Sequence, residues 1–105
     1  MKKEKEPIFI DIDGTLTDNP ETAQGKPLWD RITKVIWLIS VGERVILWSA
    51  GGENYAKAFA RDHGIKPELC LAKPYVMVDD KPSIRAPGRL KILSPEEFMK
   101  CDPRV

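Results

Sequence analysis

The chain has 105 residues, 42% of them hydrophobic, with 17 basic and 16 acidic side chains for a formal net charge of +1. This length suits one domain spanning residues 1–105, and the apolar content excludes a disordered chain. The near-neutral balance argues against a dedicated nucleic-acid binder, which carries a strong basic excess.

Met1–Glu6 is a charged tail, and the apolar run after it is too short for the core of a signal peptide. No apolar run approaches the roughly 18 residues that a membrane helix needs. The two cysteines, Cys70 and Cys101, form no CxxC pair, so neither a zinc site nor a disulfide framework is expected. Cys70 reads as a small buried hydrophobe. These features together predict a cytoplasmic protein with no membrane partner.

Pro7–Asp11 is a short apolar run ending in an acid, the pattern of a buried strand. Residues 14–26 are polar, contain Asn19-Pro20 and read as a loop. From Pro27 to Val41, Leu28, Ile32, Val35, Ile36 and Ile39 recur at helical spacing, with Pro27 in the first turn and Gly42 as the stop. Trp29 and Trp37 flank this stripe and read as packing residues. Arg44–Trp48 is a second strand, and Ser49–Gly52 a turn. A second helix runs from Glu53 to His63, with Tyr55, Ala56, Phe59 and Ala60 on its apolar face and Gly64 as its stop. Leu69–Ala72, Tyr75–Asp79 and Leu90–Leu93 read as third, fourth and fifth strands. Ser94-Pro95-Glu96-Glu97 joins a capping box to a proline at the first helical position, which opens a short last helix.

Alternating strands and helices signify βαβ units with right-handed crossovers and parallel strands. The expected fold is therefore α/β: a three-layer, doubly wound, Rossmann-like sheet, mostly parallel. Ligands of such sheets sit beyond the carboxyl ends of the strands. Asp11 with Asp13, Ser49, and Asp79 with Asp80 all fall at such ends. Asp11 and Asp13, two residues apart, lean over one pocket where a strand ends. A single acid there is ordinarily a cap or a solvated turn residue. Two pairs, each closing an apolar strand, crowd like charges that a cation must compensate, and hard oxygen ligands suit Mg²⁺.

Asp11-Ile-Asp-Gly-Thr-Leu-Thr17 resembles the first motif of the haloacid dehalogenase superfamily. Val45–Ser49 is similar to its second motif, a strand ending in Ser or Thr. Lys73 is similar to its motif lysine, with Lys81 a rival for that role. Val76–Asp80 is similar to its fourth motif, an acidic pair ending a strand. The resemblance covers residues 7–93, with four motifs in the family's order. It implies that Asp11 is the nucleophile and Asp13 the general acid and base. It implies Mg²⁺ held by Asp11, the backbone carbonyl of Asp13, Asp79 and Asp80. Ser49, the amides of Ala50 and the following glycines, and Lys73 would receive the phosphoryl group. Thr15 would hydrogen-bond around Asp11 and Asp13, while Thr17 and Asp18 read as loop residues.

Members that cleave carbon–halogen bonds lack the second acid, so Asp13 points to phosphoryl transfer. About a dozen residues separate Asp13 from Pro27, too few for the cap domain that many relatives insert. A capless phosphatase has an open site, suited to a large phosphorylated substrate or to a lid from a second subunit. Residues 14–26 and Pro82–Arg89 would border it, with Arg85 and Arg89 placed to steer an anion. His63, at a helix end, reads as solvated or paired with the helix dipole. A non-catalytic module that binds a phosphate or a partner is the competing reading. A polynucleotide-end phosphatase is another, against which the charge balance weighs.

Overall fold

A computed structural model describes residues 5–78 and 92–100. The chain divides into a unit ending at Lys73 and a unit beginning at Pro74. The first contains β1 (Ile8–Asp11), α1 (Trp29–Ser40), β2 (Val45–Ser49), α2 (Glu53–His63) and β3 (Leu69–Ala72). The three strands form a parallel sheet in the order β1-β2-β3. This is a small α/β fold with helical crossovers, compatible with a Rossmann-like architecture. Among the described residues no helix is long and apolar enough to cross a membrane.

β2 is paired along both edges and packed by helices, and Val45, Ile46, Leu47 and Ser49 are all buried. This accounts for a continuous apolar run where an alternating one would mark a half-exposed strand. α2 packs on β2 and β3, and α1 on β2. Ile32, Val35 and Leu38 are the buried positions of α1, and Ala56, Phe59 and Ala60 those of α2. Gly64 closes α2 in the left-handed conformation at φ 73, where a side chain is strained.

Several expectations are corrected. Pro27 lies outside α1: it bridges Thr17, and Leu28 occupies the N-cap position. The backbone of Leu28 is instead tied to the loop, its N–H donating to Leu16 O at 2.8 Å. Ile36 is 37% exposed and Leu38 takes its place in the core. Trp29 and Trp37, expected to pack, are 54% and 44% exposed, because the buried stripe passes between them. Cys70 is half-buried rather than buried, and burial pushes its thiol up.

The segment between β1 and α1 is an ordered excursion. The amides of Thr15, Leu16 and Thr17 all donate to Ile12 O, which turns the chain sharply after the strand. Its neck is closed by the Thr17–Pro27 bridge. Asp18 N donates to Lys26 O at 3.1 Å, and Lys26 N donates to Asp18 Oδ1 at 2.7 Å.

In the second unit, α3 (Pro95–Lys100) carries the expected capping box. Ser94 N donates to Glu97 Oε1 and Glu97 N to Ser94 Oγ, each at 3.1 Å. The Ser94 backbone hydrogen bond holds the Glu97 carboxyl below the usual carboxylate range. The expected fourth strand is not formed over 75–78: Tyr75–Val78 is exposed and pairs with no strand among the described residues. An apolar run becomes a strand only beside a backbone that completes its ladder, and Pro74 opens this one without an N–H to contribute. Ile92 and Leu93 of the expected fifth strand are likewise not in a strand. Asp79, Asp80, Lys81, Arg85, Arg89, Leu90 and Cys101 lie outside the described residues.

Leu47 is fully buried at the centre of β2. Leu47→Ala should destabilise the fold by about 2–5 kcal/mol, through lost burial and the cavity left behind. The measurement is the urea midpoint, which should fall with the slope of the transition unchanged.

Candidate functional site

Parallel pairing sets the geometry. Asp11 lies opposite Trp48, and Ser49 opposite Ala72, so the carboxyl ends of all three strands meet at one edge. Lys73 continues the ladder one residue past β3, its N–H donating to Ser49 O at 2.9 Å. That bond aims its side chain back across the edge: Lys73 Nζ stands 2.9 Å from Asp11 Oδ1 and 5.8 Å from the centroid of the Trp48 ring. The other oxygen, Asp11 Oδ2, accepts from Thr15 Oγ1 at 3.0 Å. Thr15 is itself held from α1, where Arg31 Nη1 donates to its carbonyl at 3.0 Å. Asp11 is thus fixed by a cation on one side and a hydroxyl on the other.

Asp13 is held by three donors. Ser49 Oγ donates to its Oδ2 at 3.2 Å. Its Oδ1 accepts from Tyr55 OH at 2.7 Å and from Ala23 N at 3.2 Å. Ala23 has φ 63, the left-handed region that an alanine rarely adopts, at the point where its amide turns to the carboxylate. Burial first, and then the hydrogen bond to Asp13, push the Tyr55 hydroxyl up to about 12.

The turn after β2 is compact. Gly51 N donates to Ser49 Oγ at 2.9 Å and Gly52 N to Ser49 O at 3.1 Å. These two amides point inward, which differs from the expectation that they face a phosphate. A Cβ on Gly51 would lie 2.6 Å from Thr22 Cγ2 and 2.9 Å from the Tyr55 ring, so only glycine lets the loop approach this turn. Ala50 at the turn is exposed. Ser49 is fully buried, with its hydroxyl between Asp13 and Gly51.

The structure therefore brings together Asp11, Asp13, Ser49, Lys73 and Thr15 of the residues singled out in the sequence. Thr17 is more than a loop residue: it is buried, accepts from Gly14 N at 3.2 Å and donates to Asn19 O at 3.2 Å. His63 pairs with the helix end, its Nδ1 2.8 Å from Phe59 O. Tyr55 is the residue that the sequence reading did not assign to the site. Its position on the apolar face of α2 gave no sign that its hydroxyl reaches Asp13.

Among the described residues no group of three or more His, Cys, Asp and Glu side chains is placed to hold a metal ion. Among the described residues each Asp11 oxygen has one partner and two lone pairs, which leaves it able to take a hard cation. Asp11 fits part of the expected Mg²⁺ ligand set, of which Asp79 and Asp80 lie outside the described residues. No protein-family model, curated protein or solved structure matches this chain.

The Tyr55 phenol links this site to pH. Between its ordinary value near 10 and about 12, the unfolded chain releases the proton while the folded chain retains it. Its contribution to stability is full below pH of about 10 and is lost as pH rises through about 12. Urea midpoints of the wild type relative to Tyr55→Phe should converge over that alkaline window; parallel profiles would contradict the bond to Asp13.

Proposed function

We propose that the chain is a Mg²⁺-dependent phosphohydrolase that works through an aspartyl-phosphate on Asp11, in the manner of the haloacid dehalogenase superfamily that its motifs resemble. The observation that carries this reading is the Lys73–Asp11 contact at 2.9 Å, with a second acid, Asp13, two residues further on. An ammonium beside a carboxylate holds it in one orientation, which is what a nucleophile requires. The same ammonium offsets charge when a phosphate approaches.

Proton and bond accounting assigns the roles. An Asp11 oxygen attacks phosphorus while the ester P–O bond breaks, and the leaving oxygen takes a proton from Asp13. Asp13 then removes a proton from water, and the resulting hydroxide attacks phosphorus. The acyl-phosphate P–O bond breaks, releasing phosphate and the Asp11 carboxylate. Asp13 thereby regains the proton with which it began. Asp13 Oδ1 already accepts from two donors, whereas Oδ2 accepts among the described residues from Ser49 Oγ alone and keeps a second lone pair to carry that proton. Ser49, once turned from Asp13, and the Ala50 amide are the donors we assign to the phosphate. Mg²⁺, held by Asp11, the Asp13 carbonyl, Asp79 and Asp80, would neutralise phosphate charge against the approaching carboxylate.

The excursion between Asp13 and α1 is short and closed at its neck, so this reading has no cap over the site. An open site suits a large phosphorylated substrate or a lid from a second copy of the chain.

Hydrolysis of p-nitrophenyl phosphate tests the proposal. Turnover should require Mg²⁺, vanish with EDTA and fall to background in Asp11→Asn, while Asp13→Asn should lose about 10²–10⁴-fold in kcat. Full turnover by Asp11→Asn would refute the nucleophile. One observation favours the competing, non-catalytic reading, namely that both Asp13 oxygens are already taken by protein donors. A protein that binds orthophosphate yet turns over none of a panel of phosphorylated metabolites would decide for it.

A further inference from the structure

Beside the acidic edge lies an open depression of about 340 Å³ between the β1–α1 excursion and one side of α2. That volume is at the lower end of small-molecule sites, about 300–1,000 Å³. Pro27 contributes from the excursion, and Tyr55, Ala58, Phe59 and His63 from the helix. Three of the eight lining residues are aromatic rings. They form a fixed wall: His63 stacks on Phe59 with centroids 4.1 Å apart, and its Nδ1 is tied to the Phe59 carbonyl. Trp29, more than half exposed, stands beside His63 with centroids 5.4 Å apart.

One residue belongs to both the depression and the candidate site: Tyr55 lines the depression and donates its hydroxyl to Asp13 Oδ1 at 2.7 Å. The excursion that forms the opposite wall also supplies the Ala23 amide to Asp13. The chemistry of the lining selects its occupant. Asp62, also in the lining, disfavours an anion, so this is not where a phosphate sits. Flat rings favour another flat ring, by offset or edge-on packing.

We propose that this depression is the leaving-group subsite of the enzyme and takes an uncharged aromatic or heteroaromatic group of a phosphomonoester. The inference rests on the phosphohydrolase reading and adds the substrate class to it. Tyr55 is shared between the subsite and Asp13, so a leaving group seated against it would direct its ester oxygen toward the acid that must protonate it.

The test compares kcat/KM for 1-naphthyl phosphate with that for glycerol 2-phosphate, both with Mg²⁺, in the wild type and in Ala58→Phe. The variant fills the depression without touching Asp11 or Asp13. It should lower the naphthyl-to-glycerol ratio by about threefold to tenfold, the size of a lost ring contact. A ratio unchanged in a variant with a native circular dichroism spectrum overturns the subsite. Should Ala58→Phe not fold, His63→Ala removes one ring of the wall and reads the same ratio. A wild type that hydrolyses neither ester removes the phosphohydrolase reading and leaves the depression to be tested on its own. Binding of 1-naphthol, followed by broadening of its proton resonances, should then occur with wild type and be lost in Ala58→Phe. Equal broadening by the two proteins, or none by either, overturns the subsite.

Discussion

The parallel ladder through β2 is the constraint on which the rest of the molecule depends. Because β1 and β3 both run alongside β2 in the same direction, the ends of three strands lie on one edge, and the residues that terminate them are neighbours in space. Asp11, Ser49 and Lys73 are far apart in sequence and are brought to one edge by the pairing of their strands. Parallel strands require crossovers, and the two amphipathic helices that supply them cover the buried strand and contribute their own residues to the edge: Arg31 from α1 supports Thr15, and Tyr55 from α2 supports Asp13. The site is thus a consequence of topology first and of side-chain chemistry second.

The β1–α1 excursion completes that edge in a different way. It is held at its neck by pairing between Thr17 and Pro27, and at its base by the three amides that converge on Ile12 O. Between these anchors the chain folds back far enough for the Ala23 amide to reach Asp13 and for Thr22 to meet Gly51. Strain in the Ala23 backbone is tolerated because the anchors on both sides leave the tip little freedom.

What was legible in the sequence follows from the same physics. β1, β2, β3 and α2 were readable because each is an apolar run of the right length closed by glycine or by polar residues, and Asp11, Asp13, Ser49 and Lys73 stand where those runs end. The phase of α1 was not readable in full: periodicity announces a stripe but not its centre, so Ile36 and the two tryptophans were placed inside while Leu38 was missed. Tyr55 escaped because a tyrosine on an apolar face counts as apolar until the partner of its hydroxyl is known, and that partner lies 42 residues away. The Ala23 amide escaped because a backbone donor leaves no mark in composition. Tyr75–Val78 was over-read as a strand, since an apolar run says nothing about whether a neighbouring strand exists to receive it.

A hydroxyl has one hydrogen, and Ser49 is buried with its own directed at Asp13. An anion that seeks this donor does not add a contact to an idle group; it exchanges one acceptor for another, and only the difference between them appears in its affinity.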